Sequence, residues 1–393
     1  MVDTPEKYAV ISGIGISRIG RKTGIPGLEL SAEACREAIA DAGLTPGDID
    51  GMASLGDTPL RHVRDELGMA DAALVKGGFG SAGLLTPVAD GAVAVGERRR
   101  RHVLVYRTVQ MVGGTMAGGG GEADDDDEAM KLLAETMGPL MGDMSPMLTH
   151  HAYSAANWLA LHCRRHMHLY GTTKEQLGWL AVNSRRNAAR NPRAALQDPI
   201  TMDDYLGTRT ISSPFGLLDC DIPVDGSIAV VISHEDHAPD CPSTPLRIEA
   251  LGGSDGPGAW LHRPDFPAMA STDAAAQLWS RTDLGPTDVD LAELYDGFTF
   301  LTFAWLEALG LCDEGGAGPF VEGAGRIALD GELPLNTYGG QLSAGRMHGY
   351  WVLHEACLQL RGQAEGRQVP GDPEVGVMAA GGGPIAGCLL LTR

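Results

Sequence analysis

No apolar run in this sequence reaches ~18 residues, so no membrane-spanning helix is expected. HExxH is absent, and the one i,i+4 histidine pair, His162 and His166, has no glutamate placed to complete a zinc site. A GxxxxGK[ST] phosphate loop is absent too. Seven cysteines (Cys35, Cys163, Cys220, Cys241, Cys312, Cys357 and Cys388) are scattered, odd in number and without a CxxC. That usage argues against a disulfide framework and fits a reduced, cytoplasmic setting. The opening MVDTPEKYAV is too polar for a signal peptide. Basic residues are scarce: 30 Lys and Arg face 51 Asp and Glu, a net charge of −21. A surface this acidic repels phosphate backbones, so no nucleic-acid partner is expected. One anionic group in a local pocket remains compatible with it.

The chain has 393 residues, enough for two or three domains or for one large pseudo-symmetric one. Its 44% apolar and 21% charged residues are those of an ordinary globular protein. Glycine is the excess: 54 residues, about twice the usual ~7% share, with no Gly-x-y period. In a globular chain that means tight turns and close backbone approach.

A repeat appears at an offset of 240 residues. SAEACREAIADAGLTPGDID (31–50) matches STDAAAQLWSRTDLGPTDVD (271–290), pairing Ser31 with Ser271, Pro46 with Pro286, Asp48 with Asp288 and Asp50 with Asp290. Strand-like runs precede the copies at Tyr8–Ile14 and Leu246–Leu251, with Gly15 and Gly252 directly after them. Further strand candidates follow at Met52–Leu55 and Leu291–Tyr295. Ala32, Cys35, Ala38, Ile39 and Ala42 form a helical apolar stripe, with Ser31 and Ser271 as expected N-caps and Gly43 as a stop. A second pair of segments, 77–97 and 339–362, has a glycine turn leading into a long apolar helix, then strands at Val103–Tyr106 and Val375–Ala379. Two βαβαβ-type halves are therefore expected. The insert between them carries the Gly113–Gly121 tract, the solvated acidic run Asp124–Glu128, and helices over His150–Tyr170 and Thr173–Asn191. Asp225–Ser233 returns to a strand. The expected division is 1–110, 111–225 and 226–393.

Four segments could carry chemistry. Lys76–Gly83 (KGGFGSAG) is a glycine turn at a helix start, able to offer N–H groups to an oxyanion or to serve only as a turn. In Glu293–Phe298 (ELYDGF), Tyr295 and Asp296 would emerge at a strand tip, where a phenol can act as acid or base. Asn336–His354 gathers Tyr338, Ser343, Arg346, His348, Tyr350 and His354 among glycines and is the richest patch. Ala379–Gly387 (AAGGGPIAG) offers backbone N–H groups alone. The basic run Arg98–Arg101 reads as a helix C-terminus favoured by the dipole.

The duplicated halves, the inserted region and these glycine loops resemble the thiolase superfamily along essentially the whole chain. Residues 166–233 resemble its sterol-carrier-protein branch, and NTYGGQLSAG fits the NT-x-GG pattern. The resemblance implies an α/β thiolase-like fold with a layered α-β-α-β-α core, and a homodimer. The departures are at catalytic positions. FGSAG stands where the family has its C-x-S-G nucleophile, so Phe79 or Gly80 replaces the cysteine. GRMHG replaces GHPxG, placing Arg346 at the usual histidine, and YDGF replaces NEAF or HDCF, placing Tyr295 at the usual Asn or His.

This combination resembles the thiolase-like steroid side-chain aldolases. The resemblance implies retro-aldol cleavage of a 17-hydroxy-steroid C20-carboxyl-CoA thioester to a 17-ketosteroid and propionyl-CoA. It implies no cofactor in this chain, and a small zinc-ribbon/OB-fold partner that would hold any zinc and complete a heterotetramer. A retro-aldol step needs no acyl-enzyme, which accommodates the missing cysteine. Tyr295 and Tyr350 are expected to share acid and base roles, with His348 able to replace either. Gly80, Ser81, Gly83, Gly340, Arg346 and Gly382 are expected to bind substrate or its oxyanion. A cysteine-less acyltransferase or condensing enzyme, and a non-catalytic acyl-CoA-binding subunit, are the alternatives.

Overall fold

The computed structural model describes residues 4–55, 58–75, 80–111, 145–254, 261 and 263–393. Their strands are β1 (Ala9–Ile16), β2 (Gly51–Ser54), β3 (Ala73–Leu74), β4 (His102–Gln110), β5 (Thr210–Ser212), β6 (Phe215–Gly216), β7 (Asp225–His234), β8 (Leu246–Gly253), β9 (Leu291–Leu294), β10 (Val375–Gly381) and β11 (Ala386–Thr392). The α-helices are α1 (Gly27–Asp41), α2 (Leu60–Leu67), α3 (Thr86–Gly96), α4 (Ala155–Tyr170), α5 (Lys174–Ala188), α6 (Met202–Leu206), α7 (Ala270–Trp279), α8 (Thr299–Ala308), α9 (Ala317–Val321) and α10 (Tyr350–Leu360). None among the described residues is long and apolar enough to cross a membrane. The tracts Lys76–Phe79, Gly113–Gly121 and Asp124–Glu128 lie outside the described residues.

Nine strands form one sheet in the order β3-β2-β4-β7-β1-β8-β11-β10-β9. Its two arms meet where β1 pairs antiparallel with β8, Val10 opposite Arg247 and Ile11 opposite Leu246. Outward from that junction both arms repeat one pattern. β1–β7 and β7–β4 are antiparallel and β4–β2 is parallel. β8–β11 and β11–β10 are antiparallel and β10–β9 is parallel. The 3-10 turns Pro46–Asp48 and Pro286–Asp288 enter β2 and β9 at the same 240-residue offset.

Burial explains the layers. One core cluster combines α3 and α10 with inward residues of both arms, among them Val105, Ile228, Met378 and Leu389. A second packs α1 on the outer face of the first arm, and a third packs α7 and α8 on the outer face of the second. The order is therefore α-β-α-β-α. Helices α4 and α5 of the insert join the outer cluster of the second arm through Leu159, Cys163, Leu177 and Leu180. α4 begins at Ala155, later than expected, because the extended Ser154 receives the Asn157 side chain at its N–H and so caps the helix there.

Close approach accounts for part of the glycine. A Cβ at Gly15 would stand 2.2 Å from the Ala34 carbonyl oxygen, and one at Gly252 2.2 Å from that of Ala274. Ala34 and Ala274 are repeat partners, so the same helix-on-strand contact is built twice. The N-cap expectation is corrected. α1 starts at Gly27 and α7 at Ala270, so Ser31 and Ser271 lie inside their helices. Buried Ser31 hydrogen-bonds the Gly27 carbonyl (2.7 Å) and Thr108 (2.6 Å), tying α1 to β4 instead of capping it. Gly43, at φ +72, ends α1, with Leu44 N–H returning to the Ile39 carbonyl.

Candidate active site

The four residues of β9 are wholly buried, and the strand runs parallel to β10. Its end delivers Tyr295 and Asp296 at the carboxyl edge, where open α/β sheets bind ligands. The Tyr295 ring folds back over Gly297, where a Cβ would lie 2.6 Å from its Cε1. Asp296 is buried and accepts the N–H groups of Gln341 (2.7 Å) and Leu342 (3.3 Å). Gly340 has φ +61, and a Cβ there would fall 1.9 Å from Asp296 Oδ2, so only glycine fits beside this carboxyl. The preceding NT pair docks the same loop on β9. Asn336 Oδ1 accepts the Leu294 N–H at 2.7 Å, and Thr337 donates its N–H to Glu293 Oε1 at 3.0 Å.

The end of the insert stitches these pieces together. Asp221 N–H donates to the Gly297 carbonyl, Ile222 N–H to that of Gln341, and Arg346 N–H to that of Ile222. The stitch is anchored by Asp219, which is fully buried and receives Tyr205 OH (2.5 Å), Thr299 Oγ1 (2.7 Å), Gly216 N–H (2.6 Å) and the Lys174 ammonium. It brings the Asp221 carboxylate to 3.3 Å from the Arg346 guanidinium. Arg346 Nε also meets Met111 Sδ at 3.1 Å. Two residues on, His348 Nδ1 lies 2.6 Å from Arg107 Nη2.

Burial sets the protonation of this cluster. It pushes the Tyr295 phenol well up, reinforced by the Asp221 charge and opposed by Arg346 and the Gln341 side chain. It raises Asp296 to about 7 against the pull of the Gln341 and Leu342 N–H groups. Asp221 rises to about 6 for the same reason, with Arg346 holding it lower. The His348 imidazole is held well below its ordinary range by burial and by the Arg107 and Arg346 charges. A neutral phenol therefore stands beside two carboxyls able to exchange protons near neutral pH. Cys220 is the neighbouring thiol, but burial and the flanking Asp219 and Asp221 push it up to about 12, which suppresses the nucleophilic thiolate. Among the described residues no group of three or more His, Cys, Asp or Glu is placed to hold a metal.

Of the residues singled out from sequence, the fold brings Tyr295, Gly340, Arg346 and His348 into one neighbourhood. Tyr350 opens α10 and is fully buried. Gly80 and Ser81 are exposed on a turn that lies against β8 and β11, where Ser81 carbonyl accepts the Ser254 N–H and Gly83 abuts Ala386. Three expected oxyanion donors are already engaged. Gly80 N–H donates to Thr86 Oγ1 (2.8 Å), Gly83 N–H to the Gly80 carbonyl (3.0 Å) and Gly382 N–H to the Ile385 carbonyl (2.8 Å). Asp221, Gln341 and Arg107 were not anticipated. Arg107 had a signal, since it is the single charge inside the apolar strand VLVYRTVQ and is buried. Asp221 had none.

A family model described as thiolase C-terminal domain-like matches residues 258–389. The 17-hydroxy-3-oxo-4-pregnene-20-carboxyl-CoA lyase of Mycobacterium tuberculosis is 33% identical over 395 residues, spanning 97% of this chain and 98% of that protein. A steroid side-chain-cleaving aldolase of Thermomonospora curvata is 34% identical across 97% of both chains. Among solved structures, an Ltp2-ChsH2(DUF35) aldolase matches with a TM-score of 0.87 and 31% identity over 100% of this chain and 99% of that one. A monomeric SCP2-thiolase-like protein type 1 from Mycobacterium smegmatis shares the fold, with a TM-score of 0.67 and 18% identity over 100% of this chain and 78% of that one.

Proposed function

This chain belongs to the thiolase superfamily, in its branch of steroid side-chain-cleaving aldolases, and is a carbon–carbon lyase; we propose that it cleaves a 17-hydroxy-steroid C20-carboxyl-CoA thioester to a 17-ketosteroid and propionyl-CoA. A base takes the proton of the 17-hydroxyl, and the oxygen pair becomes the ketone π bond. The electrons of the C17–C20 bond pass into the thioester as an enolate. A proton delivered to C20 then releases propionyl-CoA. Atoms and charge balance with no oxidant, reductant or acyl-enzyme.

The observation that carries this reading is the Tyr295 phenol, kept neutral by burial at the strand tip among Asp221, Arg346 and Gln341. A neutral phenol enters the cycle as a proton donor. Tyr295 and Tyr350 share the acid and base roles, Tyr295 being partly exposed and Tyr350 fully buried. Asp221 and Asp296 supply the nearby carboxyls through which the protons are exchanged. The Ltp2-ChsH2(DUF35) name of the solved relative supports a DUF35 partner here as well. A small zinc-ribbon/OB-fold chain on a homodimeric core, in a cytoplasmic heterotetramer, fits that support.

Mass spectrometry of the products from a 17-hydroxy-C20-CoA, with and without the partner, tests the reaction. The expected products are the 17-ketosteroid and propionyl-CoA. Wild-type rates in both Tyr295→Phe and Tyr350→Phe would remove the residue assignment.

A further inference from the structure

Retro-aldol cleavage places negative charge on the thioester oxygen as the enolate forms, and a donor must meet it. The N–H groups of Gly80, Gly83 and Gly382 are spent on other acceptors. We propose that His348, fixed by Arg107 as the neutral tautomer protonated on Nε2, donates the hydrogen bond that stabilises this enolate oxygen, with Arg107 as its positioning residue. The role of the ring rests on the retro-aldol reading; its tautomer does not.

The tautomer follows from the donor inventory. A guanidinium has five N–H donors, no acceptor, and stays protonated in proteins. Arg107 Nη2 lies 2.6 Å from His348 Nδ1, so Nδ1 must accept and cannot carry a proton. The proton of a neutral ring then sits on Nε2, which has no hydrogen-bond partner among the described residues. An imidazolium would set N–H against N–H and add a third positive charge beside Arg107 and Arg346, whose charges add to burial in holding the ring deprotonated. Asp221, the nearby carboxylate, is paired with Arg346.

The backbone presents the ring. His348 has φ +50, a left-handed conformation rare outside glycine, and Gly349 follows at φ +90. Met347 and Tyr350 on either side are fully buried, and Tyr350 N–H closes on the Met347 carbonyl, so the turn is clamped at both ends. His348 alone of this stretch stays partly exposed beside Arg346. A neutral imidazole in this position donates without transferring a proton, which separates it from Tyr295.

Four variants of the purified chain, assayed with its partner, test the role. His348→Leu removes the donor, and kcat should fall about 10²–10³-fold. His348→Gln keeps an N–H but carries no transferable proton, and should stay within about 10-fold of wild type. Equal loss in both overturns the donor role and makes His348 an acid or base. In Arg107→Met the ring loses its Nδ1 donor and one of the two charges that oppose its protonation, and an acidic limb absent from wild type should appear in the pH–rate profile. Arg107→Lys, which retains a cationic donor, should suppress that limb. Histidine-ring 15N NMR supplies a readout without turnover. The signal lost in His348→Gln should report the Nε2-protonated neutral form from pH 5.5 to 8.5 in wild type, and should titrate in Arg107→Met. An Nδ1-protonated or titrating ring in wild type overturns the tautomer. A wild-type chain with this tautomer that leaves the steroid thioester uncut sinks the retro-aldol reading and the donor role with it, and leaves the Arg107 lock standing.

Discussion

The two arms of the sheet share strand order, strand sense and the same glycine-mediated helix contact, yet their matched strand tips differ. β2 ends at Ser54 and β9 at Leu294, so the residues that follow, Leu55 and Tyr295, are repeat partners at the 240-residue offset. Leu55 joins the hydrophobic core, while Tyr295 stays partly exposed among Asp221, Arg346 and Gln341. The turns before the central helices diverge likewise. The described part of the turn before α3 satisfies Gly80 and Gly83 N–H internally. The turn before α10 spends its N–H groups on Asp296 and carries Arg346 and His348. Packing holds both copies to one scaffold because any Cβ added at Gly15 or Gly252 collides with a helix backbone. The tips face no such constraint, and chemistry has collected at one of them.

The sharpest way to break the comparison is to exchange functional groups at the matched tips. We expect Tyr295→Phe to lower kcat/KM by about 10²–10⁴-fold, the range for a positioned acid–base group, with little change in melting temperature. Leu55→Met, at the partner position, should keep the rate within about threefold and cost under about 1.5 kcal/mol. Steady-state kinetics beside thermal melts of both variants decide this. Equal activity losses would mean that the first arm also reaches the substrate.

Gly340→Ala comes next. Its Cβ would overlap Asp296 Oδ2 in a left-handed backbone, so we expect about 1–3 kcal/mol of destabilisation and a fall in activity. Gly83→Ala has φ +55 but a nearest neighbour at 3.0 Å, and should cost less in a parallel denaturant titration. The reverse ranking would place the tighter turn in the first arm.

Titration separates the arms more gently. Asp296, raised to about 7, and Asp221, raised to about 6, hold protons that a carboxyl of the unfolded chain releases near ~3.9. A raised folded-state value favours the native form fully below the unfolded one, and that contribution is lost as pH rises through the folded values. Wild-type melting temperature should therefore lose part of its height between pH 4 and pH 7, and Asp296→Asn should flatten that slope. Asp48 in the first arm is shifted the other way by its Thr45 hydrogen bond and is exposed, so Asp48→Asn should leave the slope in place. The smallest effect is expected at Ser31 and Ser271, which lie inside their helices. Ser31→Ala loses its bond to Thr108 and should cost about 1 kcal/mol in urea, while Ser271→Ala should cost less because no such pair forms there among the described residues.

Much of the fold was legible from residues close in sequence. The repeat located both arms, and the expected strand Asp225–Ser233 is the observed Asp225–His234. Gly43 and Pro46 mark the end of α1 as expected, because a left-handed stop and a proline act locally. Ser31 has the identity of an N-cap but lies inside α1, because its partner Thr108 is supplied by a distant strand. In the site, the richness of Asn336–His354 was visible, but Asn336, Thr337 and Gly340 turn out to dock that loop on β9 and Asp296. Asp221 carried no local signal, since its meaning comes from Gly297 and Arg346, far along the chain.

Residue identity and spacing alone dictate that the protein is built from two copies of one unit, that glycine sits where helix meets strand, and that no cysteine occupies the thiolase nucleophile position. Folding settles which N–H groups are already engaged, that Asp221 faces Arg346, and that Arg107 meets His348 at Nδ1. Hydrogen bonding and proton affinity depend on burial and on partners brought from elsewhere in the chain, and neither is encoded in any local run of residues.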